Sequence, residues 1–398
     1  MPQSADPPCP VCGSTGTLSL VHRQGVPVQQ NFPLNSAAQA LAAPRGELDM
    51  RWCASCGFGF NAAFRSGLLD YGTSYENTQS YSPCFREHRD ALRVHLLAES
   101  GVRNCQIVEV GCGQGDFLLE LVRDPTYGNR GIGFDPAYTG PAADLDGRYQ
   151  VQSRLFGNDA DIRGEVFVSR HLIEHLPDPL DFLRAIAAAM STGPGRRRLF
   201  LETPDLAWIL RNQVFWDLFY EHCSLFTERS LTAALHQAGF GRVRIRRVFG
   251  DQYLWAEAEL GADPTGAGAP LESLTALAAR FATHEQERIA AWLAIQAGGC
   301  YSGPVAVWGA GAKGVTFCHL VDPGCERLAG VIDINPAKQG KFVPVTAHPI
   351  HGPTAWLQRG GSGVLVLNPN YLAEIRRTLL KLGAAIQVVD MMEFPAAE

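Results

Sequence analysis

From about residue 105 onward, short apolar runs alternate with longer segments of helical period. "CQIVEV" (105–110) has strand length and is followed at once by glycines, and "DFLLELVRD" (116–124) behind it repeats like a helix. The strand pattern returns in "RGIGFD" (130–135), at the start of "GEVFVSRHLIEHL" (164–176) and in "RRRLFLETP" (196–204), with the helical "PLDFLRAIAAAM" (179–190) between the last two. Strands alternating with helices predict an α/β domain, a parallel sheet covered on both faces. Upstream, the polar, tyrosine-rich "DYGTSYENTQSYSP" (70–83) turns into the helical "FREHRDALRVHLLAES" (85–100).

"GADPTGAGAP" (261–270) interrupts the pattern with the composition of a linker, and a long helical stretch (271–297) follows it. The alternation then restarts in "GPVAVWGAGAKG", "LAGVIDINP", "GVLVLNPNY" and "AIQVVDMMEF". The expected organisation is therefore an N-terminal module over 1–65, a core with helical lead-in over 66–260, a linker and helix over 261–302, and a smaller C-terminal α/β domain over 303–398. The net charge of −6 argues against a nucleic-acid binder, which normally carries a basic stripe. The start "MPQSADPPCP" has no basic region followed by an apolar one, and no apolar run reaches membrane-spanning length, so a cytoplasmic protein is expected.

That compartment is reducing, and the eleven cysteines are not expected to form a disulfide framework. Four of them stand apart. Cys9 and Cys12 in "CPVCG" and Cys53 and Cys56 in "CASCG" form two Cys-x-x-Cys pairs, each followed by glycine. Four thiolates in this arrangement match tetrahedral zinc, and with every position filled by protein the zinc is expected to be structural. The alternative is two buried or redox pairs, but neither pair is placed at the start of a helix, as a redox pair usually is.

"IVEVGCGQGDFL" (107–118) reads as strand, glycine loop, helix. Gly111, Gly113 and Gly115 are spaced more tightly than a dinucleotide fingerprint; Glu109 precedes them inside the strand, and Asp135 ends the next strand, where a carboxylate can bind ribose hydroxyls. This resembles the class I S-adenosylmethionine (SAM)-dependent methyltransferases. The resemblance implies a Rossmann-like core in which Gly111, Gly113 and Gly115 line the cofactor, Asp135 holds its ribose, and Glu109 lies close by. An NAD-binding fold is the competing reading.

Two clusters of ionisable residues follow later strands. "SRHLIEHLPDP" (169–179) holds His171, Glu174 and His175; on a helix the two histidines would share a face, and His175 is the one expected to function, with His171 at the rim or in a structural hydrogen bond. "VFWDLFYEHCSLF" (214–226) brings Glu221 and His222 after the fourth strand, over the same end of the sheet as the glycine loop. Histidine is suited to take a proton at neutral pH, Glu221 could fix its tautomer, and Phe215, Trp216, Phe219 and Phe226 are expected to exclude water.

The order of these parts resembles the nucleotide-sugar C-methyltransferases, which methylate carbon in dTDP-4-keto-deoxysugars. A four-cysteine module leads to a tyrosine-rich lead-in, a methyltransferase core with a Glu-His pair, and a C-terminal domain carrying "GAGAKG" and "DINPAKQGKFVPVTAHPI". The resemblance covers essentially the whole chain. It implies catalytic roles for Tyr75 in "SYENTQS", for His175, and for Glu221 and His222, and a part in nucleotide-sugar binding for the C-terminal domain, with Lys313 at its glycine loop able to hold a pyrophosphate. One departure stands out. The family commonly has Tyr-x-Glu-His, whereas this chain has "FYEH", with Phe219 in the tyrosine's place and Tyr220 beside it. Tyr220 is accordingly expected to contact substrate, and the alternative acceptor is another natural-product or cell-surface intermediate methylated on O, N or C.

Overall fold

The computed structural model describes residues 7–69, 79–157, 162, 164–190, 195–265, 270–297 and 303–393. Tyr75 lies outside the described residues. The strands in chain order are β1 (Thr17–Pro27), β2 (Arg45–Cys53), β3 (Gly59–Asn61), β4 (Gln106–Val110), β5 (Arg130–Phe134), β6 (Ala143–Asp144), β7 (Tyr149–Gln152), β8 (Val166–Arg170), β9 (Arg198–Pro204), β10 (Ser224–Leu225), β11 (Phe240–Val248), β12 (Tyr253–Leu260), β13 (Val305–Trp308), β14 (Gly330–Ile332), β15 (Ile350–His351), β16 (Gly363–Val366) and β17 (Gln387–Asp390).

The central sheet has eight strands in the order β11-β12-β9-β8-β4-β5-β7-β6. Its middle is parallel, β4 pairing with β5 on one side and β8 on the other, as the strand–helix alternation predicts. Ile107, Val108 and Val110 of β4 are buried, the near-continuous apolar pattern of a strand covered on both faces. Because the connections run outward in opposite directions from β4, a crevice opens at the carboxyl ends of β4 and its neighbours, where α/β sheets bind ligands. The predicted pattern does not include the β11–β12 hairpin, whose β12 runs antiparallel to both β9 and β11. Its signal is a period of two: Arg242, Arg244 and Arg246 are exposed while Val243 is buried and Ile245 half-buried between them.

A second sheet, β1-β2-β3-β10, joins the N-terminal module to a two-residue strand contributed by residues far along the chain. The third sheet, β15-β14-β13-β16-β17, is wholly parallel and forms the C-terminal α/β unit. The long helix after the linker spans Glu272–Ala297, and its apolar positions Leu274, Ala278, Phe281 and Trp292 are core. One cluster of buried side chains runs from Leu20 and Met50 in the N-terminal sheet through Trp216 and Phe281 to Val307 and Phe317 in the C-terminal unit.

Arg23 of β1 pins this shared core. Its guanidinium donates to both oxygens of Glu285 in the long helix and to the carbonyls of Phe215 and Leu218. The two charged side chains are 7% and 11% exposed, so each depends on the other for solvation. Arg23→Leu should destabilise the fold by about 3 kcal/mol or more, since it leaves a buried carboxylate unpaired; the midpoint of denaturant unfolding measures this.

Candidate active site and metal centre

The glycine loop between β4 and the helix Asp116–Val122 turns sharply because Gly111, Gly113 and Gly115 all have positive φ, at 74°, 55° and 77°. At Gly115 a Cβ would also lie 1.9 Å from the Tyr149 hydroxyl, so no other residue fits. Asp135, at the end of β5, braces the loop. One of its oxygens accepts from Gly113 N–H at 2.8 Å and the other from Ala137 N–H at 2.8 Å, while burial pushes its carboxyl pKa up. Glu109 is buried within β4, and its Oε2 has no hydrogen-bond partner. Burial pushes its carboxyl up to about 8, against the pull of the Arg170 guanidinium.

On the neighbouring strand, β8 ends at Arg170 and the chain reverses through His171, whose φ is 51°. Leu172 packs on Gly111, which holds this turn against the glycine loop. Ile173–His175 is a short 3-10 turn, so His171 and His175 do not share the face of a helix as one reading of the sequence expects; the positive φ breaks the helical path between them. Glu174 is fully buried, with Oε1 3.3 Å from His171 Nδ1 and Oε2 accepting from the Thr203 hydroxyl at 3.1 Å.

Behind it lies Glu202 of β9, also fully buried, held by Arg170 Nε at 2.8 Å and His88 Nε2 at 2.5 Å and within 3.4 Å of His171 Nε2. Burial alone would lower the His171 pKa, but Glu202 and Glu174 hold it at about 9. Burial alone would raise Glu202, but Arg170, His171 and His88 keep it well below the usual carboxylate range. His171 is thus an imidazolium between two carboxylates, its ring edge on Tyr253 at 4.5 Å.

The segment after β9 begins with Asp205 capping the helix Leu206–Asn212, turns at Phe215–Asp217 and enters β10. His222 meets the ring of His175 edge-on, centroids 4.9 Å apart, and Phe219 covers it at 4.0 Å. Its Nδ1 is buried without a partner. Burial, then interaction with His175, His171 and Lys313, pushes its pKa well below 6.5, so the ring is neutral. Of the four aromatics expected around His222, only Phe219 stacks on it; Phe215 and Trp216 pack on Phe317 of the C-terminal unit and Phe226 on Phe58. Glu221 is buried and accepts from the Gln30 amide of the N-terminal module.

Tyr220 corrects an expectation. Its side chain is fully buried, its hydroxyl bonds the backbone N–H and C=O of Arg65, and its ring lies against Gly46 and Phe64. Phe219, Glu221 and His222 line a cavity that Tyr220 does not reach, so the structure gives Tyr220 no contact there.

That cavity, of about 290 Å³, is walled by His171, Glu174, His175, Phe219, Glu221, His222 and Tyr253 of the core, by Asn31, and by the C-terminal unit. From the latter come Lys313, its Nζ 2.6 Å from Asp217 and over the Trp208 ring, and Lys338, 5% exposed and donating to Asn31 Oδ1 and the Ala310 carbonyl. Asp333 braces the second glycine loop as Asp135 braces the first, accepting from Ala310 and Asn335 N–H at 2.8 Å each. The lead-in is tied to the same unit: Glu374 accepts from the Ser82 hydroxyl and Cys84 N–H, and the Tyr371 hydroxyl donates to Gln79. Glu174, Glu202, His88, Tyr253 and Lys338 go beyond the residues the sequence singles out as catalytic or binding. Only Glu202, a charge inside an apolar strand, carries a signal that could have marked it.

The four N-terminal cysteines converge as expected. The Sγ atoms of Cys9 and Cys56 are 3.7 Å apart, those of Cys12 and Cys53 3.5 Å, and all four lie within 4.8 Å of one another. A tetrahedron with metal–sulfur bonds of about 2.3 Å has edges of about 3.8 Å. Gly13 and Gly57, at φ 72° and 78°, make the turns behind the two pairs. Hydrogen bonding from Cys56 pulls the Cys9 thiol down to about 5; burial pushes Cys12 up to about 11; and Cys56 rises through its bond to Cys9 and through burial. The four thiols cannot all ionise without a cation, and the donor set fits zinc. Glu174, His175 and His222 also come within 4.8 Å of one another. There both Glu174 oxygens already have partners and the His171 imidazolium stands beside them, which favours an acid/base cluster over a metal site.

Residues 85–244 match the family described as a methyltransferase domain, and residues 269–386 match the C-methyltransferase C-terminal domain. The C-methyltransferase NovU of Streptomyces niveus is 28% identical over 294 residues, covering 68% of this chain and 67% of that protein. Among solved structures, a 1,6-didemethyltoxoflavin-N1-methyltransferase from Burkholderia thailandensis superposes with a TM-score of 0.35 at 19% identity, over 45% of this chain and 79% of its own. Human N-acetylserotonin methyltransferase gives 0.34 at 16% identity, over 44% and 55%. The core fold, its glycine loop and the matched domain define a SAM-dependent methyltransferase. The second matched domain and the likeness to NovU support methylation on carbon within that class. An unpartnered buried carboxylate oxygen on Glu109 and an open glycine turn suit a cofactor bearing positive charge. Among the described residues, no helix is long and apolar enough to cross a membrane.

The metal centre and the cofactor loop can each be tested. Metal analysis of the purified protein should find one zinc per chain, and Cys53→Ser should lose it and lower the melting temperature by several degrees in a thermal scan. Glu109→Gln should weaken SAM binding at least tenfold by calorimetry. The same change should also flatten the pH dependence of apo stability: a carboxyl raised to about 8 in the fold loses stability as pH climbs from its unfolded value, near about 4.3, through 8, and glutamine has no such loss.

Proposed function

We propose that the protein transfers a methyl group to the carbon next to the ketone of a nucleotide-linked 4-keto-deoxysugar. The observation that carries this reading is His222: a neutral imidazole with an unpartnered Nδ1, on the wall of a cavity shared with a lysine-bearing C-terminal domain. A neutral ring nitrogen without a partner is what a C–H proton acceptor requires. His222 takes the α-proton, leaving an enolate, and the enolate carbon then bonds the methyl group. Bound SAM would supply that methyl already activated as a sulfonium, its methyl–sulfur bond breaking as the new bond forms and S-adenosylhomocysteine leaving with the electron pair. His175, facing His222, donates to the developing enolate oxygen, where preorganised donors act most strongly. Phe219 and the buried faces around it exclude water. Glu221 holds the segment against Gln30 while lining the cavity, and Tyr75 is a further contributor to the site.

Lys313 and Lys338 suit the diphosphate of a nucleotide-linked substrate, at the start of the helix Ala312–Val321, whose N-terminal amides add positive potential. Gly111, Gly113, Gly115 and Asp135 hold SAM, and zinc on Cys9, Cys12, Cys53 and Cys56 is structural. A cytoplasmic location belongs to the same reading, since a compartment that keeps thiols reduced suits a four-cysteine zinc site. A second acceptor class remains in play because of one feature: Phe219 brings no phenol to the cavity, and Tyr220 turns its own away. The alternative is therefore methylation on O, N or C of another natural-product or cell-surface intermediate.

Methyl-labelled SAM incubated with a pool of dTDP-4-keto-6-deoxysugars should yield label on a sugar carbon with loss of the α-proton, seen by NMR. His222→Gln should abolish this turnover and leave S-adenosylhomocysteine binding intact. Full turnover by His222→Gln would sink the assignment of the base; binding of S-adenosylhomocysteine without transfer to any sugar would redirect the search to the second class.

A further inference from the structure

We propose that Glu174 is a positioning residue for this reaction: its carboxylate is the counter-charge that steadies the His175–His222 pair when one of the rings takes up a proton, and the His171–Glu202 pair behind it holds it in place. The inference rests on His222 as proton acceptor and adds a group that neither the sequence reading nor the family resemblance assigns.

The geometry is specific. A carboxylate oxygen of Glu174 and ring nitrogens of His175 and His222 lie within 4.8 Å of one another on the cavity wall. Glu221, the neighbour of His222 in the chain, is buried against the Gln30 amide. Glu174 is fixed from two sides, by the Thr203 hydroxyl and by His171. It therefore cannot swing away when the charge beside it changes.

The charges facing this carboxylate come from every element around it. Arg170 ends β8; His171 and His175 flank it in the turn; Glu202 lies behind on β9, bonded to His88 of the helix Pro83–Val94. Glu221 and His222 approach from the segment before β10, Tyr253 from β12, and Lys313, paired with Asp217, from the C-terminal unit. Arg170 and His171 offset Glu174 and Glu202. A proton arriving on His222 would meet the positive His171 and Lys313, and Glu174 is the carboxylate grouped with it on the wall. Without that charge the imidazolium would form against positive neighbours in a site of low dielectric.

The test is NMR of the zinc-loaded, full-length protein with labelled histidine rings and bound S-adenosylhomocysteine. It reads the pH at which the His175–His222 pair takes up its first proton, a property of the pair rather than of either ring. Glu174→Gln, which removes the charge and keeps the shape, should move that midpoint to lower pH by about one unit, a tenfold loss of proton affinity. Glu174→Asp should restore most of it, and Glu221→Gln should move it less. An unchanged midpoint in Glu174→Gln, or an equal shift in Glu221→Gln, overturns the proposal. If Glu174→Gln does not fold, Glu174→Asp decides alone: a smaller shift to lower pH supports the proposal and none overturns it. The readout needs no acceptor, so failure of methyl transfer to the sugar pool would count against the proposed substrate and not against Glu174.

Discussion

The site depends on two residues of β-pairing. Ser224 and Leu225 add a strand to the N-terminal sheet opposite Phe60 and Gly59, with Asn61 N–H bonding the Cys223 carbonyl just before them. Strand β10 is too short to persist alone, since an isolated pair is marginal even at greater length. Its order comes from β2 and β3, and theirs in part from the cysteine knot at the end of β2, where Cys53 N–H bonds the Phe58 carbonyl and Gly57 N–H the Cys53 carbonyl. The Glu221–Gln30 bond fastens the same segment from its other side. A structural metal would thus fix the position of His222 without touching substrate, by clamping the sheet that His222 hangs from.

The same logic of bracing recurs in both α/β units. Asp135 and Asp333 each end the strand next to a glycine loop and spend one oxygen on a loop amide and the other on an amide two residues beyond. A loop of left-handed glycines has little intrinsic preference for one shape, so the carboxylate supplies the restraint that the missing side chains do not. In the first unit this stiffens a surface for the cofactor. In the second it presents the start of the helix Ala312–Val321 to the cavity, with Lys313 held back by Asp217 and Lys338 from the loop beyond.

The parts legible in the sequence are those set by local rules. Strand–helix alternation, glycines at positive φ and paired cysteines each follow from a few adjacent residues, and the structure places them as the sequence implies. What was not legible depends on direction and distance. Tyr220 and Phe219 are neighbours with opposite fates because the chain turns at residues 220–221, and no local signal says which side chains then meet the cavity. His171 and His175 fit a helical spacing, but a single left-handed residue removed the helix. His88 and Glu202 are 114 positions apart and Thr203 and Glu174 are 29 apart, so which charges meet is unreadable until the sheet brings them together.

The departure at position 219 is intelligible in these terms. Phenylalanine at 4.0 Å keeps the imidazole dry and, with burial and the positive charges nearby, neutral. Dryness sharpens every charge interaction around it. The ring is held unprotonated by burial first and then by its neighbours His175, His171 and Lys313, while an oxygen of Glu174 lies within 4.8 Å of a ring nitrogen. In the proposed role such a ring is available to accept a proton at neutral pH, and a carboxylate fixed beside it faces the place where positive charge would develop.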